Sequence, residues 1–288
     1  MFNEKELNSA VTIADPQWLE QNLDSDDLQI MDCQPDVYDY FHGHIPGAVY
    51  FSDKLWRCWE DSLPTRYTSA EIIEPMLRRS GLDRNKKTAV YSGKGSFSHQ
   101  GDGLEGTMCA YSLARWGFSR IYYIDGGLDR CKEEKKPVTK TFPQVEKTEV
   151  EVELQNELFV TFQQFLELKE QDNCFVVDIR PPEAYKEARL WSSPGHIPGA
   201  TNIFWKLFMD HQNKYRFRTT EHIQELVQSR GATPDKTIIL YCGTGREATN
   251  AFVTFKWVLQ YPHVKLFEGS FTEWSARKQP TVVGKTPW

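Results

Sequence analysis

The chain carries four landmarks twice in the same order, and such a duplication constrains the fold more than any other feature of this sequence. Gly43-His44-Ile45-Pro46-Gly47-Ala48 returns as Gly195-His196-Ile197-Pro198-Gly199-Ala200. Upstream of each, an apolar run closes on aspartate, Leu28-Gln29-Ile30-Met31-Asp32 and Phe175-Val176-Val177-Asp178. Downstream, Thr88-Ala89-Val90-Tyr91-Ser92-Gly93 parallels Ile238-Ile239-Leu240-Tyr241-Cys242-Gly243, and Tyr123-Ile124-Asp125-Gly126-Gly127 parallels Leu266-Phe267-Glu268-Gly269-Ser270. The short apolar runs read as buried parallel strands, and stretches between them, such as 108–116 and 251–259, have helical spacing. Strands alternating with helices predict an α/β fold, each half a parallel sheet with helices on both faces. Residues 132–147 are rich in Lys, Glu, Thr and Pro and show neither periodicity. The halves are therefore placed at 8–140 and 157–288, joined by a linker over 141–156.

A chain of 288 residues can bury two separate cores. Its net charge of -6, with no basic run, lacks the footprint of a phosphate-tracking surface, so no nucleic-acid partner is expected. The first residues carry acids where a signal peptide needs basic and then apolar ones, and no apolar run is long enough to span a bilayer. A cytoplasmic location and no membrane partner are expected. The six cysteines, Cys33, Cys58, Cys109, Cys131, Cys174 and Cys242, stand singly. That spacing offers neither a zinc site nor a disulfide framework, and most isolated cysteines serve as small buried hydrophobes.

Cys242 stands apart from the rest. It follows the strand 237–241 and heads Gly243-Thr244-Gly245-Arg246-Glu247, after which a helix is predicted from about Ala248. Ligands of α/β sheets bind at the carboxyl ends of strands, where the next helix presents free N–H groups. The two glycines let the backbone curl into an anion-binding nest around one sulfur atom. The nest, the helix start and the Arg246 guanidinium all predict a lowered thiol pKa. The repeated Gly-His-Ile-Pro-Gly-Ala, by contrast, reads as a turn entering a strand, not as a catalytic histidine.

Taken with that turn, with Asp178-Ile179-Arg180 and with Gly269-Ser270-Phe271-Thr272-Glu273-Trp274, the Cys242 loop makes the chain resemble the tandem-domain rhodanese family over about residues 10–135 and 158–284. The resemblance implies two tandem rhodanese-like domains, the first non-catalytic because Ser92 stands at the position of Cys242. It implies a sulfurtransferase in which Cys242 takes sulfur from a small anionic donor as a persulfide and passes it to a thiol, cyanide or thioredoxin-like acceptor. No metal or organic cofactor is implied. Gly243, Thr244, Gly245, Arg246 and Glu247 would bind the donor, and Arg189 falls where the family has a carboxylate-gripping arginine. Asp53, Asp61 and Lys186 are further candidates for the cleft. The Cys-Gly-Thr-Gly loop resembles mercaptopyruvate enzymes, while Arg246, the absent second arginine after Asp-x-Arg, and Asp61 at the family's histidine position keep thiosulfate open as donor.

Other chemistries fit less well. A cysteine phosphatase or arsenate reductase needs arginine six positions after the cysteine, where this chain has Ala248. A non-catalytic binding module suits the first half but leaves Cys242 without a purpose. Gly101-Asp102-Gly103-Leu104-Glu105-Gly106 spells a dinucleotide pattern, yet it begins well after its strand ends and reads as a lengthened, flexible loop.

Overall fold

The computed structural model describes residues 9–60, 63–187 and 191–287. They form two compact units, neither of them a single run of chain. Unit 1 comprises residues up to 56 with 68–155 and 209–217, and unit 2 comprises 57–67, 156–208 and 218 onward. The chain begins with β1 (Val11–Ala14), β2 (Leu28–Asp32) and β3 (Ala48–Tyr50) of unit 1. The antiparallel pair β4 (Arg57–Glu60) and β5 (Leu63–Tyr67) then joins unit 2, before β6 (Lys87–Tyr91) and β7 (Ile121–Ile124) complete unit 1. Unit 2 continues with β8 (Phe159–Val160), β9 (Cys174–Asp178), β10 (Thr201–Asn202), β11 (Thr237–Tyr241) and β12 (Val264–Phe267).

The sheet of unit 1 runs β1-β7-β6-β2-β3 and that of unit 2 runs β8-β12-β11-β9-β10, with every neighbour parallel. Each strand thus sits where its repeat partner sits, and the duplication extends from sequence to topology. Tyr91 lies opposite Asp32 in one sheet and Tyr241 opposite Asp178 in the other. Ala89, Val90 and Tyr91 of β6 and Ile238 to Tyr241 of β11 are fully buried in succession. Successive strand residues point to opposite faces, so both faces of each sheet are covered.

The cover comes from helices. Unit 1 has α1 (Pro16–Asn22), α2 (Val37–His42), α3 (Ala70–Arg79), α4 (Glu105–Arg115) and α5 (Gly127–Glu133). Unit 2 has α6 (Phe162–Leu168), α7 (Pro182–Lys186), α8 (Thr220–Gln228), α9 (Arg246–Phe252) and α10 (Ser270–Ala276). Their starts follow the local sequence: Asp15 accepts from the Trp18 amide ahead of α1, and Thr161 with Gln164 closes a capping box on α6.

The repeated histidine turn holds the fold, as its sequence indicated. His44 Nδ1 lies 2.8 Å from Tyr40 O and Nε2 3.1 Å from Thr141 O, with the ring stacked on Tyr40. His196 repeats this with Tyr185 O at 2.9 Å and Thr286 O at 3.0 Å. The segment read as a linker, 141–156, falls within unit 1 up to residue 155 and is hydrogen-bonded to it. Thr148 Oγ1 donates to Leu82 O at 2.6 Å and Arg78 Nε to Val150 O at 2.8 Å. Residues 57–67 and 209–217 each belong to the unit built mainly from the other half of the chain. Arg66 Nη2 lies 3.6 Å from Glu273 Oε1 on α10 in unit 2, while the Phe217 amide donates to Asp125 Oδ1 at 2.8 Å in unit 1.

Candidate active site

In unit 2 the chain leaves β11 at Tyr241 and turns through 242–245 into α9. Two glycines make the turn possible. Gly245 has φ of 88°, and a Cβ there would lie 2.6 Å from Glu268 O. A Cβ on Gly243 would lie 2.5 Å from Trp191 Cζ2. The outside of the loop is fastened to α10. The Phe271 amide donates to Cys242 O at 3.0 Å, and the Thr272 amide and hydroxyl donate to Gly243 O at 2.9 and 2.8 Å. The Trp191 indole N–H in turn donates to Thr272 Oγ1 at 3.0 Å.

The inside of the loop holds the Cys242 sulfur. The Gly245 amide donates to Sγ at 3.0 Å, and the amides of Thr244 and Ala248 also bond to it. Backbone N–H groups thus converge on one fully buried sulfur. The lowered thiol pKa expected from this loop is not what the closed site gives. Burial, and after it the Glu247 carboxylate, push the Cys242 thiol up to about 12, and the Ala248 amide, Arg57 and the Thr244 amide offset only part of that. The sequence reading counted the dipoles and left out the desolvation of a wholly enclosed sulfur.

Glu247 lies in the first turn of α9, half-buried. The Trp205 indole and the Cys242 thiol donate to its carboxylate, which is nonetheless raised, by burial first and then by Asp178. Asp178 and Arg180 form a buried pair beneath the loop, with Arg180 Nη2 2.6 Å from Asp178 Oδ2 and donating to Gly195 O at 2.8 Å. Burial lowers the Arg180 pKa, but Asp178 raises it by more, so the guanidinium stays charged over the Phe271 ring at 4.0 Å.

The structure brings Gly243, Thr244, Gly245 and Glu247 together around Cys242, and places Arg246 at the first position of α9. Lys186 ends α7, where its carbonyl accepts from the Gly284 amide at 2.9 Å. Asp53 is buried in unit 1, in the short turn Asp53–Trp56. Asp61 and Arg189 lie outside the described residues. The sequence reading missed Arg57, whose guanidinium Nη2 donates to the Thr244 carbonyl. No group of three or more metal-ligating side chains, and no helix long and apolar enough to cross a membrane, occurs among the described residues. In the Gly101–Gly106 loop Glu105 already accepts from the Asp102 and Gly103 amides, at 2.9 and 3.3 Å, which occupies two of the donors a pyrophosphate would need.

Comparison with known proteins finds relatives that match over nearly the whole chain. A model of the rhodanese-like domain matches residues 15–134 and 161–277. A provisionally named thiosulfate sulfurtransferase of Synechococcus elongatus is 31% identical over 284 residues, covering 96% of this chain and 86% of that protein. The 3-mercaptopyruvate sulfurtransferase of Escherichia coli is 26% identical, covering 90% and 93%. The crystal structure of the 3-mercaptopyruvate sulfotransferase SseA from Escherichia coli superposes with a TM-score of 0.79 at 24% identity, covering 90% of this chain and 98% of that one.

Proposed function

The chain belongs to the rhodanese family, with one rhodanese-like domain matched in each half, and from that membership we propose that it is a sulfurtransferase carrying sulfane sulfur on Cys242. The observation that carries this reading is the convergence of the Thr244, Gly245 and Ala248 amides on the buried Cys242 Sγ. Such a cradle stabilises negative charge, and a persulfide anion carries that charge where a neutral thiol does not.

In the first half-reaction the Cys242 proton passes to Glu247, which already accepts the thiol hydrogen bond. The thiolate attacks the donor's outer sulfur. With mercaptopyruvate the carbon–sulfur bond breaks, its electron pair stays on carbon, and protonation gives pyruvate. With thiosulfate the sulfur–sulfur bond breaks and sulfite leaves. In the second half-reaction an acceptor thiolate or cyanide attacks the outer sulfur of the persulfide and restores the Cys242 thiolate. The Cys-Gly-Thr-Gly loop favours mercaptopyruvate as donor, and a thiol or thioredoxin-like protein is the acceptor that suits a persulfide. The six free cysteines suit a reducing, cytoplasmic setting.

Mass spectrometry of the protein after donor treatment, with acceptor withheld, is the direct test. One sulfur atom is expected on Cys242, and Cys242→Ser should neither take up sulfur nor turn over. Sulfur on a different cysteine with turnover intact would overturn the assignment.

A further inference from the structure

One planar peptide links Thr244 to Gly245, and its two ends do different things. Its N–H points at Cys242 Sγ, 3.0 Å from the Gly245 nitrogen, and its carbonyl accepts from Arg57 Nη2. In a trans peptide the C=O and N–H point in opposite directions, so fixing one fixes the other. A nest needs its N–H groups turned inward and therefore its carbonyls turned out, where something must receive them.

Arg57 opens β4 in the hairpin that belongs to unit 2. The same Nη2 also donates to Thr65 O across the hairpin at 3.2 Å, and the guanidinium carbon sits 5.6 Å from the Tyr67 ring. A Cβ on Gly245 would lie 3.0 and 3.5 Å from Arg57 Nη2 and Nη1, so glycine at 245 admits the arginine as well as the turn. No salt bridge joins Arg57 to a carboxylate among the described residues, which leaves its charge to act on the loop. Hydrogen bonding at the carbonyl also polarises the peptide and strengthens the N–H at its far end.

We propose that Arg57 is a positioning residue of the Cys242 site: through the Thr244 carbonyl it aims the Gly245 N–H at the sulfur, and its charge stabilises the Cys242 anion. The proposal rests on the reading of Cys242 as the sulfur carrier only for its extension from thiolate to persulfide. The groups facing the sulfur are Arg57, Glu247 and the amides of Thr244, Gly245 and Ala248, and Arg57 is the cation among those acting on it most strongly.

The test is the rate of Cys242 alkylation by iodoacetamide at a fixed pH near 8, followed by mass spectrometry on the resting full chain. Arg57→Ala should slow alkylation about tenfold or more, because removing an adjacent opposite charge lowers the thiolate fraction by about that factor. Arg57→Lys should recover most of the rate, and Arg57→Gln, which can still bond the carbonyl, should fall between Lys and Ala. With donor present, Arg57→Ala should lower kcat for persulfide formation more than it raises KM. An alkylation rate unchanged in both Arg57→Ala and Arg57→Gln, with melting temperatures like wild type, would overturn the proposal. If wild type accepts no sulfur yet Arg57→Ala still slows alkylation, the sulfurtransferase reading fails and the role of Arg57 toward the thiolate stands.

Discussion

Around Cys242 the decisive quantity is a balance of charge on one buried atom. Glu247 opposes ionisation of the thiol by its own negative charge, yet it also accepts the thiol hydrogen bond and is the proposed acceptor of its proton. These two roles separate in Glu247→Gln. Losing the carboxylate lowers the Cys242 pKa from about 12, and each unit of lowering raises the thiolate fraction at neutral pH about tenfold, so alkylation should accelerate. Losing the proton acceptor should slow persulfide formation by about 100-fold. Parallel measurement of alkylation and single-turnover rates checks this, and rates rising together would reduce Glu247 to an inhibitory charge. Cys242 and residues 243–247 were legible in the sequence because a nest is made from consecutive backbone. Arg57 was not, because it meets Thr244 across 187 positions and nothing in the local pattern of β4 reports where its tip goes.

At the scale of elements, the two central sheets offer an internal comparison. β2 and β9 both end in a buried aspartate facing a tyrosine, but two residues on the chain has Gln34 in one unit and Arg180 in the other. With Gln34 in place of an arginine, burial raises the Asp32 carboxyl to about 6, and hydrogen bonds from Tyr91 and Gln34, with His44 nearby, offset only part of that. The folded state then binds more protons than the unfolded one between the unfolded value near 3.8 and about 6. Unit 1 therefore loses stability as pH rises through that window, by up to about 3 kcal/mol at neutral pH. Asp32→Asn should abolish this term, so its stability relative to wild type should rise by that amount between pH 4 and pH 7 in urea denaturation followed by hydrogen exchange of unit 1. A difference independent of pH would contradict the assignment. The strands, the paired topology and the histidine turns were readable because repeats and apolar runs are local signals. The seating of β4–β5 in unit 2 and of 209–217 in unit 1 was not, since a hairpin's own pattern does not say which core it joins.

Across the whole molecule, the duplication gives two units of one topology, of which only unit 2 holds the proposed sulfur site, and the difference between them is larger than Ser92 for Cys242. In unit 1 several of the amides that follow Ser92 are taken by carboxylates. Asp129 Oδ2 accepts from the Lys94 amide at 2.7 Å, and Asp39 Oδ1 accepts from the Phe97 and Ser98 amides at 2.6 and 2.9 Å. Glu105 holds the Asp102 and Gly103 amides in the same way. Donors that could converge on an anion are thus bound to fixed negative charges, and a thiolate there would meet repulsion from Asp129 and Asp39. Moving the thiol should therefore not move the function. Ser92→Cys combined with Cys242→Ser should take up no sulfur from mercaptopyruvate or thiosulfate, and the introduced thiol should alkylate no faster than the chain's other buried cysteines. A persulfide on that introduced thiol, detected by mass spectrometry, would show that unit 1 keeps a working nest and that the missing sulfur atom alone silenced it.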